Sequence, residues 1–240
     1  MRLDVCLVPL TGALVNFGAI IVGGVLGLLF RKGLKQKYMD AVMYVLAFVI
    51  FGLGVSYVLK SQQILVLIIS VVLGVLFGTL LKLDERLNRF GAFLQKKIKI
   101  GNGNFSEGFV SCTILYCVGA MAITGSIQGG LSDDHTIIYA KSIMDGISSI
   151  FFASSLGVGV LFSALPVLLY QGAIALAASA LAPVLDMNVV TEMCAAGGIA
   201  LMALAVNMTG IKKFKVADIL PAIFLPIGVY PLVQWVSSLF

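Results

Sequence analysis

The chain has 240 residues, of which 60% are hydrophobic and 11% charged, and its mean hydropathy is +1.08. A soluble domain of this length carries far more charge on its surface, so the composition excludes one. The net charge of +5 does not point to nucleic acid, because the basic residues lie in short loops beside apolar segments and no recognition motif accompanies them.

The apolar residues come in blocks of about twenty, enough for a helix to cross a hydrocarbon core of roughly 30 Å. The period-2 alternation of a transmembrane barrel is absent. The fold class is therefore an all-α integral membrane protein, a polytopic bundle of about eight transmembrane helices (range seven to nine), forming a single transmembrane domain over 1–240. In chain order the predicted spans are 10–30, 40–59, 64–82, 107–128, 136–155, 158–182, 189–208 and 217–238. The first is too long for a removable signal peptide, and its positive charges follow it. Leu156-Gly157 alone separates the fifth span from the sixth, so these are two crossings or a re-entrant pair. Pro221, Pro226 and Pro231 predict a bent eighth span.

Of the 16 Lys and Arg, 13 fall in three places: Arg31 to Lys37, Lys82 to Lys99, and Lys212 to Lys215. With eight spans, all three lie on one side, which the positive-inside rule makes cytoplasmic, and both termini lie outside. Residues 83–99 form a cytoplasmic interfacial amphipathic helix, with Leu83, Leu87, Phe90, Leu94 and Ile98 recurring opposite Lys and Arg. Gly101 to Asn104 make a turn after it. Gly23, Gly24 and Gly27, like Gly74 and Gly78, are spaced for close helix packing. Gly74 to Gly78 also resembles Gly159 to Ser163 on an oppositely directed span, the pattern an inverted internal repeat produces.

Polar residues concentrate in spans four to seven, and in lipid they are the informative ones. Span four ends Thr124 to Gly130, where Ser126 and Gln128 stand among glycines. That segment either unwinds to offer backbone groups or ends in an ordinary cap followed by a loop. Lys141 and Asp145 lie one turn apart, with Ser148 and Ser155 continuing their face and Ser149 beside it. Three readings are open: a lined pathway with Asp145 as ion ligand or proton carrier, a self-neutralising structural pair, or two charges snorkelling outside a span that begins later. Gln171 follows Pro166, Glu192 opens span seven at its outer mouth, Asn207 closes it, and Asn16 is a buried amide in span one.

No metalloprotease, nucleophile-elbow or Walker motif occurs, so no enzyme, cofactor or catalytic residue is expected. His135 is expected in an exposed outer loop, and one His makes no metal site. The four cysteines have no zinc spacing and read as small apolar residues, with a Cys6–Cys194 disulfide open.

The run Gly125 to Gln128, then Lys141-Ser142, Asp145-Gly146, Phe152 to Ser154 and Gly157, resembles the YqgA/YdfK-like family of bacterial membrane proteins, a group of unknown function. Ser163, Pro166, Gln171-Gly172, Glu192, Gly197-Gly198, Asn207 and Lys212-Lys213 continue the resemblance over essentially the whole chain. It departs at Gly129, where the family pattern often has Asp. The resemblance implies a multi-pass protein of the bacterial inner (plasma) membrane. The residues point to a transporter or channel for a cation or small solute, its pathway formed by helices in 107–208 and lined by Ser126, Gln128, Lys141, Asp145, Ser148, Gln171, Glu192 and Asn207. The alternative is a non-catalytic scaffold or regulatory subunit that binds a protein partner or anionic lipid. The expected partners are the lipid bilayer, the small cation or solute, and a second copy in a homo-oligomer, with no nucleic acid.

Overall fold

The computed structural model describes residues 8–31, 36–98 and 105–238, and every regular element among them is helical. The helices are α1 (Thr11–Arg31), α2 (Gln36–Val58), α3 (Ile64–Leu80), α4 (Leu83–Ile98), α5 (Phe105–Cys117), α6 (Ala120–Ser132), α7 (Thr136–Leu156), α8 (Gly159–Phe162), α9 (Ala164–Leu176), α10 (Ala178–Leu181), α11 (Met187–Met208), α12 (Leu220–Phe224) and α13 (Pro226–Ser237). Short 3₁₀ turns precede α1 and α12 at Val8–Leu10 and Val216–Ile219. Cys6, Lys32, Lys35, Lys99 and the turn at Gly101 to Asn104 lie outside the described residues.

Among the described residues, four helical segments are long and apolar enough to cross a membrane, and up to seven are if each bent pair counts as one span. The expected eight is therefore not reached. The shortfall lies in α7, which has 21 residues like α1 but carries Lys141, Asp145 and five serines, so that it is less apolar than its length requires.

Each bend has a local cause. The predicted fourth span divides into α5 and α6 at an angle of 62°, hinged at Gly119, whose φ of +133° suits glycine. Of the two readings of Thr124 to Gly130, the structure shows the ordinary cap followed by a loop: α6 runs unbroken to Ser132 and ends in a left-handed cap at Asp133, and its glycines serve packing. A Cβ at Gly130 would fall on the Ala175 carbonyl, and one at Gly129 on the His135 ring. At Pro226, where the backbone donor is missing, α12 and α13 bend by 51° as the prolines predict. The amphipathic helix of 83–99 is present as α4, bent 56° from α3, with Lys82 at φ +52° at the corner.

Between the fifth and sixth spans the chain turns at Gly157 (φ +85°). The sequence marks this turn with no charge of its own, yet α1 supplies one: the Arg31 guanidinium fills the place a side chain at 157 would take. It sits beside the C-terminal end of α7, where the helix dipole favours a cation.

The chain divides into two compact units. One comprises 1–43 and 88–182. In it α1 lies along α7, with α5, α6 and α9 around them. The other comprises 44–87 and 183–240, built on α11, the most enclosed of the long helices, with α3, α12 and α13 packed about it. Gly74 to Gly78 lies within continuous α3, whereas Gly159 to Ser163 forms the short α8 and the step after it.

Candidate functional site

The strongest polar constellation forms in the first unit because α1 presents a face of small residues. Gly12, Asn16, Gly23 and Gly27 are all buried on it. A Cβ at Gly23 would fall on the Gly146 carbonyl, and one at Gly27 on the Ile150 carbonyl. Backbone therefore meets backbone along α1 and α7, as small residues permit in lipid. That close approach sets the short Asn16 side chain opposite Asp145.

Lys141 donates to Asp145 Oδ2 along one turn of α7. Asn16 Nδ2 donates to the same oxygen at 3.0 Å and to Gln171 Oε1 of α9 at 3.1 Å. The Lys141 ammonium stands 5.9 Å from the centre of the Tyr116 ring on α5, and the Tyr116 hydroxyl is 2.8 Å from Ser149 Oγ. Lys141 is 6% and Asp145 7% exposed, while Asn16, Gln171 and Ser149 are fully buried. Asn16 Oδ1 and Gln171 Nε2 have no hydrogen-bond partner.

Burial at this level excludes the snorkelling reading of the pair. The face continuing from Asp145 is carried by Ser149, not Ser148. Ser148 is half-buried and its hydroxyl donates to the Asp145 carbonyl at 3.0 Å. The spacing 141, 145, 149 carries that signal in the sequence. Tyr116 gave none, because an aromatic in an apolar helix reads as core.

The other predicted site residues have separate settings. Ser126 is buried, donates to the Ala122 carbonyl at 2.7 Å, and lines a narrow cleft with Gly12, Ala13, Gly129, His135, Ile138 and Ala175. Gln128 donates to Asp134 Oδ2 at 2.8 Å. Asp134 also accepts from the Thr136 hydroxyl (2.7 Å) and backbone N–H (3.0 Å), and these bonds hold its carboxyl below the usual carboxylate range. His135 is not exposed as expected. It is 8% exposed, packed between Gly12 and Gly129, with Nε2 2.9 Å from Asp133.

Glu192 and Asn207 belong to the second unit and act on backbone. Glu192 is 1% exposed and does not stand at an open mouth. It accepts from Ser61 Oγ (2.7 Å) and from the N–H groups of Gln62 (2.8 Å) and Gln63 (3.0 Å), directly before α3. The carboxylate thus caps a neighbouring helix, supplying the acceptor that Gln63 itself does not. Asp218 does the same for α4 by accepting from the Asp84 N–H at 2.9 Å, and Asp84 in return accepts from the Ala217 N–H at 3.3 Å. Nearby, the Lys215 ammonium pairs with Glu85 at 3.2 Å, which raises its pKa. Asn207 clamps the following loop, donating to the Phe214 carbonyl (2.8 Å) and accepting from its N–H (2.6 Å). Glu192→Ala, which strands three donors, is expected to lower stability by about 1–3 kcal/mol, and Glu192→Gln by less. Unfolding in detergent micelles measures both, and equal losses would argue against a capping role.

An all-helical chain with several membrane-length apolar helices and a buried ionic cluster is a multi-pass membrane protein. The chain belongs to the family described as Protein of unknown function (DUF554), which matches residues 11–230. It is 30% identical over 219 residues to the uncharacterized membrane protein YdfK of Bacillus subtilis (strain 168), covering 90% of this chain and 93% of that protein. It is 29% identical over 219 residues to the uncharacterized protein YqgA of Escherichia coli (strain K12), covering 89% and 93%. No solved structure matches it.

Proposed function

We propose that this protein is a transporter or channel for a cation or small solute, with Asn16, Lys141, Asp145 and Gln171 as the polar station on its route. The observation that carries this reading is an ion pair buried among helices of a membrane protein, joined to two amides that each keep one atom without a partner. Burying such groups is costly, and membrane proteins retain them where an ion or substrate passes. Ser126 and the cleft above it form the approach from the α6–α7 end.

Counting α7 as a crossing brings the spans to eight, with four in each unit. Its charges then face protein, which lets a helix of this polarity cross. An even number of spans keeps both termini outside and the basic loops in the cytoplasm of a bacterial cell, with α4 lying in the interface. In this reading the protein works in the inner membrane as a homo-oligomer, without a cofactor and without enzymatic chemistry.

The test is flux into proteoliposomes under sodium, potassium and proton gradients, comparing wild type with Asp145→Asn matched for insertion and helix content. Wild type is expected to conduct selectively, and Asp145→Asn to lose that flux. Wild-type flux in the variant would remove Asp145 from the mechanism. Silent, correctly inserted wild type with a stable co-purifying protein would favour the scaffold or regulatory-subunit reading instead.

A further inference from the structure

The donors and acceptors of the buried cluster also bear on which solute it takes. An Asp carboxylate facing an ammonium only accepts hydrogen bonds, so Asn16 must turn Nδ2 toward Asp145. Nδ2 also reaches Gln171, which must therefore present Oε1. The orientation of both amides follows from Asp145. What remains is one acceptor, Asn16 Oδ1, and one donor group, Gln171 Nε2, both on residues with no exposure.

Buried polar atoms without a partner are costly, and the deficit here has two signs. A cation would satisfy Asn16 Oδ1 and be repelled by the Gln171 amide hydrogens and the Lys141 ammonium. An anion would meet the reverse. Net charge sharpens the choice. Lys141 and Asp145 cancel, and the side chains bonded to Asp145 are Lys141 and the neutral Asn16 amide. A lone ion at this place would leave one uncompensated charge in a low-dielectric interior, which is heavily disfavoured.

Resting on the transport reading above, we infer that the cluster binds a small zwitterion, a molecule carrying one ammonium and one carboxylate. The ammonium lies against Asp145 and Asn16 Oδ1, and the carboxylate against Lys141 and Gln171 Nε2. Each charge of the ligand meets its opposite, each orphaned amide atom gains a partner, and the site stays neutral whether empty or filled. The narrow cleft beside Ser126 ends close to this point. Its lining residues Ala13, Ile138 and Ala175 stand about one helical turn from Asn16, Lys141 and Gln171 on the same three helices.

Isothermal titration of the full chain in detergent micelles tests this with glycine, L-alanine and β-alanine, against propionate, ethylamine and sodium ions. At least one zwitterion is expected to bind at least tenfold more tightly than either singly charged analogue. Gln171→Leu and Asn16→Leu, each verified as folded by its melting temperature, are expected to weaken that binding at least tenfold. If either variant fails to fold, Gln171→Glu, which keeps the shape and reverses the donor, is expected to do the same. Binding of ethylamine or sodium as tightly as any zwitterion would overturn the inference. So would binding of none of the zwitterions, which would assign the orphaned atoms to water. Sodium, potassium or proton flux without zwitterion binding would leave transport standing and remove only this inference. Zwitterion binding without flux of any solute would do the opposite.

Discussion

Lys141→Met is expected to cost the folded protein about 3–5 kcal/mol, the usual penalty for leaving one member of a buried ion pair alone. Asp145 would keep the Asn16 amide at 3.0 Å but lose its counter-charge, at a position only 7% exposed. The double replacement Lys141→Met with Asp145→Leu removes both charges, and stability is expected to return to within about 1–2 kcal/mol of wild type, since apolar replacement of a whole pair is often neutral. The measurement is reversible unfolding in mixed micelles, analysed as a double-mutant cycle. A single replacement that costs under about 0.5 kcal/mol would mean that the pair is solvated, against the burial observed. The same double variant separates the two readings of the pair that survive. A self-neutralising brace, once replaced by apolar packing, leaves flux intact. A polar station on the route does not.

The membrane class, most helix positions and the family were legible in the sequence, and the reasons are physical. A block of about twenty apolar residues has few alternatives to a spanning helix. A proline at 226 removes a donor wherever it stands, so the bend between α12 and α13 followed from composition. The break in span four at Gly119 is not legible, because one glycine carries less signal by pattern alone than the six polar or small residues among the seven from Thr124 to Gly130. Only backbone geometry shows that Gly119 takes the positive φ while Gly129 and Gly130 give space to His135 and Ala175.

The candidate site divided along the same line. Lys141 with Asp145 was readable because i,i+4 partners lie on one helix. The partners from elsewhere, at separations of 129 residues for Asn16–Asp145 and 155 for Asn16–Gln171, are set by packing that no local pattern encodes. Glu192 shows the cost of local reasoning. Its place near the start of α11 suggests the outer mouth of that span, whereas its carboxylate caps α3 through residues 130 and 129 positions away. A buried acid in lipid demands partners, but the sequence does not say whose they are.

The second large effect is expected at the glycine face of α1. Gly23→Ala and Gly27→Ala each put a methyl group where a backbone carbonyl now stands, that of Gly146 and that of Ile150. Backbone atoms of a helix cannot swing aside as a side-chain tip can, so α1 must move away from α7 as a unit. Overpacking of this kind costs about 1–3 kcal/mol per site, and the double replacement is expected at or above the top of that range. Gly18→Ala, on the same helix but with nothing within 4 Å of its Cβ, is expected to stay within about 0.5 kcal/mol of wild type. This control removes helix propensity as the explanation, since all three changes add the same methyl group to the same helix. The effect also has to reach the polar cluster. Asn16 is short, and its bond to Asp145 depends on the helix separation that the glycines set. Flux or ligand binding should therefore fall in Gly23→Ala while Gly18→Ala keeps both. Equal stability and activity in the two variants would show that α1 and α7 do not meet backbone to backbone, and the cluster between them would lose its structural basis.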